Sequence, residues 1–431
     1  MDSIKKQILD LIDEYYKKNK SEIPANKVPI SGKVYDAKEL KNLAEASLEC
    51  WWTEGKWNKK FEDELKKFVG TEFALTVNSG SSANLIALQT LTSPKLGNKR
   101  IRKGDEIITV AAGFPTTVNP IIQIGAVPVF VDVNLETYNA KIKDINKAVG
   151  PKTKAIFLAH TMGNPFNLKE VKDLCKKNNL WLIEDNCDAL GSRYKGQYTG
   201  TFGDLATLSF YPAHHITTGE GGAVLTNNPL LYKIAKSVRD WGRDCWCGTG
   251  EDNKCGKRFG WQLGNLPFGY DHKYIYSEIG YNLKITDMQA AIGVAQMNKL
   301  SNFIKKRKYN FDYLHSKLKE FDDFFVLPEA TEKSEPSWFG FLLTIKESKI
   351  DRTEFMRYLN ENNIATRLLF GGNITKQPYF VNNNIEYRQI GNLENTDKAM
   401  NDTFWIGVYP GLGKEHLDYV YEKFKEFLNK K

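Results

Sequence analysis

Leu205-Ala206-Thr207-Leu208-Ser209-Phe210-Tyr211-Pro212-Ala213-His214-His215-Ile216-Thr217-Thr218-Gly219-Glu220-Gly221-Gly222-Ala223-Val224-Leu225 reads as two short β-like runs, Leu205 to Ser209 and Gly222 to Leu225, joined by a loop holding two adjacent histidines. Apolar runs of this length, bounded by Gly, Pro and Ser, are strand signals. The signal recurs upstream at Phe73 to Val77, Glu106 to Val110, Val127 to Val131, Ala155 to Ala159 and Trp181 to Ile183, with helix-length segments of mixed polarity between them. Strands that are apolar throughout and alternate with helices build a mostly parallel sheet covered on both faces, so the expected fold class is α/β. The rhythm breaks from Trp241 to Gly280, a stretch rich in Gly, Trp and Cys. A loop this long inside a compact domain is as a rule functional. After a helical segment near Ile285 to Lys305 the pattern becomes α+β, with a strand-like Trp338 to Leu343 and a closing amphipathic helix from about Lys414. The expected organisation is an N-terminal helical extension (1–50), a large domain (51–310) carrying the 241–280 loop, and a small C-terminal domain (311–431), with a boundary near residue 310.

With 431 residues, 41% hydrophobic and 26% charged, the chain is long enough for one large domain plus a smaller one. Its net charge of +8 is spread through segments such as Lys305-Lys306-Arg307-Lys308, which reads as a solvated surface, and no nucleic-acid-binding motif accompanies it. The N-terminus, with Lys5-Lys6 and then Asp13-Glu14, has no apolar signal-peptide core, and no run reaches membrane-spanning length. The expectation is a cytoplasmic protein without nucleic-acid or membrane partners, whose six cysteines stay thiols or bind metal.

The loop from Ser209 to Gly222 resembles the cofactor-anchoring stretch of the DegT/DnrJ/EryC1 sugar aminotransferases. There a lysine five residues after the serine holds pyridoxal phosphate as a Schiff base; here that position is His214. Histidine exchanges a proton near neutral pH but has no primary amine with which to form the imine. The resemblance therefore implies a fold-type-I pyridoxal-phosphate-dependent architecture that uses free pyridoxamine phosphate (PMP). This is the mark of the family's 4-keto-6-deoxy sugar 3-dehydrases, which remove a hydroxyl instead of installing an amine. His214 becomes the expected catalytic base and His215 a support for the loop.

Other parts of such a site fall at strand ends. Asn78-Ser79-Gly80-Ser81-Ser82-Ala83-Asn84 follows the first strand and opens a helix, so the N–H groups at Gly80 and Ser81 can cradle a phosphate. Taken alone it is a weak signal, since a Ser/Gly turn with a helix cap is the commoner explanation. Asp185 ends the Trp181 strand, where the family places the carboxylate that keeps the pyridine nitrogen protonated, the condition for an electron sink. Taken alone it is as well explained as a strand-end cap. Phe114, in Gly113-Phe114-Pro115, matches the aromatic that stacks on the ring, although an isolated Phe is more often core. Ser209 matches a phosphate ligand, and Asn282 a residue delivered to the phosphate from the neighbouring subunit of a homodimer. Near the ring hydroxyl, where the family commonly has Gln or His, this chain has Asp188.

Cys187, Cys245, Cys247 and Cys255 are separated by 57, one and seven residues, and the last three fall in a Gly-rich loop that is poor core material. Four thiolates suit a 2Fe-2S cluster or a structural zinc. Cys50 and Cys175 read as buried small apolar residues. The cysteine spacing, Glu184-Asp185-Asn186-Cys187-Asp188 and the doubled histidine resemble the iron-sulfur branch of the family, whose substrate is a CDP-linked 4-keto-6-deoxyhexose. Deoxygenation at C3 with retention of the 4-keto group consumes two electrons and two protons. The chain offers no Gly-x-Gly-x-x-Gly after a strand to hold its own flavin or nicotinamide. The resemblance then implies a separate NAD(P)H-dependent iron-sulfur flavoprotein reductase, and a product leading to 3,6-dideoxysugars of a surface polysaccharide. Two rivals stay open: a GDP-sugar 3-dehydratase that uses glutamate, and a catalytically retired relative whose zinc-held loop binds a partner.

Overall fold

The computed structural model describes residues 3–346 and 350–430; Met1, Asp2 and Lys431, at the outer ends of the expected extension and C-terminal domain, lie outside the described residues, as do residues 347–349. Eight strands form the main sheet, in the order Phe73–Val77, Gly222–Thr226, Leu205–Ser209, Trp181–Asp185, Thr153–Ala159, Glu106–Val110, Val127–Val131 and Arg388–Gln389. Only Gly222–Thr226 runs against its neighbours, while the pairs from Leu205–Ser209 outward are all parallel. The seven runs expected from the sequence are the first seven of these strands, within two residues at either end; Arg388–Gln389 was not expected. They are legible because both faces are covered: Trp181–Asp185, Leu205–Ser209 and Gly222–Thr226 are buried at every position. One face packs under Ile86, Leu91, Ile121 and Ile234, and the other packs partly under Leu168 and Val171 and partly under Phe61, Leu65 and Val294. Each such side chain stabilises the fold by about 1.5–3 kcal/mol relative to exposure.

The helix expected near Ile285 to Lys305 is longer, Asp287–Leu318, opened by a capping box between Thr286 and Gln289. It continues because Phe303, Arg307, Phe311, Leu314 and Leu318 keep one face buried past the expected end. Position 310 therefore lies inside this helix, which joins the two expected domains. Arg307, expected on a solvated surface, is 1% exposed. The C-terminal part contains a four-stranded antiparallel sheet, Phe325–Val326, Gly340–Ile345, Thr403–Gly407 and Thr366–Leu368, and ends in the helix Lys414–Leu428. At the N-terminus, helices Ser3–Asn19 and Ala37–Leu48 precede the first strand, and Asn42 ties the second to the carbonyl of Ala291 on the long helix at 3.0 Å.

From 241 to 280 the chain contains one short turn of helix, His272–Tyr274, and an isolated bridge between Arg243 and Tyr276. Cys175 is buried as expected, but Cys50 is exposed; it follows the last turn of Ala37–Leu48 in a left-handed conformation, φ 57°. Among the described residues no helix is long and apolar enough to cross a membrane.

Candidate active site

The parallel strands end on one edge of the sheet, the edge at which open α/β folds bind ligands. There Gly80, Ser81, Phe114, Asp185, Asp188, Ser209 and His214 line one cleft of about 470 Å³. The helix Gly80–Thr90 presents its N-terminus to this cleft, with Ser79 Oγ accepting from the Ser82 N–H at 3.1 Å. A Cβ on Gly80 would lie 2.4 Å from the Cβ of Ser209, so only glycine allows the helix end to press against that strand. Free N–H groups and two hydroxyls converging at a positive helix end form a cradle for a phosphate.

Asp185 projects from the end of its strand. Its Oδ2 accepts from Asn84 Nδ2 at 2.9 Å and Thr117 Oγ1 at 2.7 Å, and its Oδ1 from the Cys187 N–H at 3.2 Å. Three donors fix the direction of a carboxylate that is 6% exposed. Phe114 is half exposed and meets Phe370 edge to face, leaving its ring toward the cleft, where a core residue would have been covered. Depth, flat wall, anion cradle and fixed carboxylate together fit a phosphorylated pyridine.

His214 is held by its backbone, its N–H donating to the Tyr211 carbonyl at 2.9 Å. The guanidinium of Arg307 donates to the carbonyls of Ala213 and His214 at 3.4 and 3.2 Å, and to those of Trp338 and Phe339 at 3.1 Å each. It thus ties the histidine loop to the C-terminal sheet. Burial lowers the His214 pKa to about 4, with the charge of Asp185 opposing and that of Arg307 reinforcing the shift. Burial, then the charge of Asp185, raises Asp188 to about 8. At pH 7 both are therefore mainly neutral, and their 3.4 Å approach is not an ion pair. Nδ1 of His214 is buried without a hydrogen bond of good geometry. His215 points away, bonded to the Ser337 carbonyl at 2.8 Å and outside the cleft lining.

Asn282 is exposed, accepts from Lys284 Nζ at 2.6 Å, and is absent from the lining of this chain's cleft. The four candidate metal ligands are divided. Cys245, Cys247 and Cys255 line one small cleft with Arg258 and His272. Cys187 lines the cleft of His214, with burial and then Asp185 raising its pKa well above the ordinary thiol value. Among the described residues no three His, Cys, Asp or Glu side chains converge as metal ligands, so a four-thiolate site does not fit within one chain.

The sequence reading missed Ile30, Ser31, Tyr211, Phe339, Arg367 and Trp405, which also line the cleft. It also missed Arg307, whose only signal is an arginine at a position where the long helix would otherwise repeat apolar residues.

A family model described as the DegT/DnrJ/EryC1/StrS aminotransferase family matches residues 34–425. The chain is 58% identical over 430 residues to the lipopolysaccharide biosynthesis protein RfbH of Salmonella typhimurium, covering 99% of this chain and 98% of that protein. It is 51% identical over 430 residues to dTDP-4-dehydro-2,6-dideoxy-D-glucose 3-dehydratase of Saccharopolyspora spinosa, covering 99% and 92%. Among solved structures it is similar to E. coli GDP-4-keto-6-deoxy-D-mannose-3-dehydratase with bound hydrated pyridoxal phosphate, with a TM-score of 0.81, 30% identity, and coverage of 92% of this chain and 99% of that one. The architecture is thus the fold-type-I one that the resemblance implied.

Proposed function

The chain belongs to the DegT/DnrJ/EryC1/StrS aminotransferase family, and we propose that within it the protein is a PMP-dependent 3-dehydratase of a nucleotide-linked 4-keto-6-deoxyhexose. The observation that carries this reading is a neutral, buried His214 in a cleft that, among the described residues, no lysine lines. Two relatives whose names end in 3-dehydratase support it.

PMP would supply the amine that condenses with the C4 ketone and the electron sink that lets the C3 hydroxyl depart. Gly80, Ser81 and Ser209 would hold its phosphate, Asp185 would pair with the ring nitrogen, Phe114 would cover one ring face, and Asp188 would stand near the ring hydroxyl. His214 would take a proton at the cofactor's C4′ carbon and could return one to the C3 hydroxyl, so that it departs as water. A neutral imidazole is the form able to begin that sequence. Arg307 and the buried His215 keep the loop from turning the imidazole out of the cleft.

Completion of the deoxygenation needs two electrons and two protons. We assign their source to a separate NAD(P)H-dependent iron-sulfur flavoprotein reductase and their point of entry to a 2Fe-2S cluster on Cys187, Cys245, Cys247 and Cys255. Since one chain does not bring those thiolates together, the chemistry derived for a single chain stops at dehydration. The cysteine pattern favours CDP-4-keto-6-deoxy-D-glucose 3-dehydrase over the glutamate-using GDP-sugar type, with a product that leads to 3,6-dideoxysugars. Anaerobic incubation with PMP, NADH, such a reductase and CDP-4-keto-6-deoxyglucose should yield a sugar lacking the C3 oxygen. Formation of a 4-amino sugar from glutamate, with C3 intact, would overturn the proposal.

A further inference from the structure

The segment that carries three cysteines lines a cleft separate from that of His214 and Cys187. The helix Gly80–Thr90 has eleven residues, so its ends are about 16 Å apart at 1.5 Å per residue. Gly80, at one end, lines the cleft that contains Cys187. Beyond the other end, Ser93 donates to Glu278 at 2.7 Å and Lys95 approaches Asp244, the neighbour of Cys245, at 3.4 Å. Asp244 also binds Ser277 at 2.6 Å and His272 at 2.9 Å, and His272 lines the three-cysteine cleft. The neck is tight as well. Gly242 has φ +83°, and a Cβ there would lie 2.0 Å from the Glu278 carbonyl oxygen. Thiolates on one iron sit within about 4–5 Å of each other, twice a metal–sulfur bond of ~2.3 Å, and a 2Fe-2S cluster separates its two thiolate pairs by only one further iron. The three loop thiols and the Cys187 of the same chain thus line separate clefts, and among the described residues no three such side chains converge as ligands of one metal.

The surface of this segment bears on what covers it. Asn282, bridged to Asp240 at the base of the loop, is exposed and outside its own cleft. A cavity of about 240 Å³ lies between Cys245, Cys247, Arg243, Lys273, Lys284 and Asp240, so two of the thiols border three basic side chains and one acid. Lys284 and Arg243 both stack on Trp241, 3.6 and 4.5 Å from its ring centroids. The same segment exposes Trp246, Phe259, Phe268 (73%) and Ile279 (79%), an apolar density that marks a protein contact. Among the described residues, Arg367 and His214 are the only basic side chains lining the cleft of Gly80, Ser81 and Ser209, and no lysine does. The occupant that satisfies both surfaces is a second copy of this chain: its basic, apolar-rimmed loop closes a cleft shaped for anions, and its own cleft is closed in return.

We propose that the cluster site is composite, Cys245, Cys247 and Cys255 from one protomer and Cys187 of the partner subunit, with two such sites in each symmetric dimer. The inference rests on the cluster-dependent reading above and adds where the ligands come from.

Hybrid dimers separate the two claims. Two differently tagged full-length chains, one Cys187→Ala and one Cys255→Ala, are co-expressed; the mixed dimer is isolated on both tags and reconstituted anaerobically with iron and sulfide. Each mutant homodimer should hold no cluster. The mixed dimer keeps one site with all four thiolates and should hold half the iron, sulfide and visible absorbance of the parent. If the sites lie within single chains, both sites in the mixed dimer are broken and it holds none, which overturns the composite site while the parent still holds iron. A parent that binds zinc, or no metal, sinks the cluster reading itself and the inference with it. PMP binding by each variant reports folding, and Cys247→Ala in place of Cys255→Ala repeats the test with a second loop ligand.

Discussion

Replacing His214 by Asn keeps a polar side chain of similar size and removes the base. The imidazole is buried and its pKa is lowered to about 4, so at pH 7.5 nearly every molecule of the parent carries the neutral, proton-accepting form. General-base catalysis contributes about 10²–10⁴-fold, or about 2.7–5.4 kcal/mol at 1.36 kcal/mol per tenfold. His214→Asn should therefore bind PMP as the parent does and lose dehydration by at least a hundredfold. The assay is exchange of deuterium from the C4′ carbon of PMP in the presence of substrate, read by mass spectrometry over a pH series. In the parent, kcat/KM should fall on the acid side near pH 4, well below the ordinary histidine value of 6.5. His215→Asn should leave that acid limb in place, since His215 is bonded to the Ser337 carbonyl outside the cleft. Near-parental exchange in His214→Asn, with His215→Asn inactive, would refute the assignment and move the base by one residue.

Asp188 gives a stability prediction of definite sign. Its folded pKa is raised from 3.8 to about 8, so between those values the folded state binds a proton that the unfolded state has lost, and this group makes stability fall as pH rises. Asp188→Asn cannot ionise, and its Tm advantage over the parent should grow from pH 4.5 to pH 8, reaching a few kcal/mol in equivalent free energy; a constant difference would contradict the buried, protonated carboxyl. Below pH 6.5 the depressed His214 acts in the opposite sense, so the comparison is cleanest above that value. Gly80→Ala places a Cβ 2.4 Å from that of Ser209 and should weaken PMP binding more than tenfold in a fluorescence titration. Unchanged affinity would remove the phosphate from that helix end. Cys255→Ser should lose iron and net deoxygenation yet keep C4′ exchange; loss of both in a protein that still binds PMP would make the metal structural.

The strands were legible because each is short, apolar throughout and bounded by turn residues, the consequence of burial on both faces. Phe114, Asp185 and Ser209 could be picked out because they stand where strands end, and the structure brings them to one cleft with His214. Arg307 was not legible: among lysines it looks like surface, and its four carbonyl partners come from two segments remote in sequence. Arg367 and Trp405 reach the cleft from the C-terminal sheet, a juxtaposition that no local pattern encodes. The long helix outran its expected end because the burial of Phe311 and Leu314 depends on a C-terminal sheet that the helix itself positions. The division of the cysteines was equally hidden, since spacing along a chain says nothing about which end of Gly80–Thr90 each thiol occupies.

The fate of the C3 oxygen tests the proposed function most directly. CDP-4-keto-6-deoxyglucose labelled with ¹⁸O at C3 is incubated anaerobically with the parent protein and PMP, then with reductase and NADH added. The expected result is transfer of the label to water in the first stage and a 3-deoxy sugar in the second, with glutamate unnecessary in either. A product that retains the label at C3 and carries a new amine at C4 would contradict it.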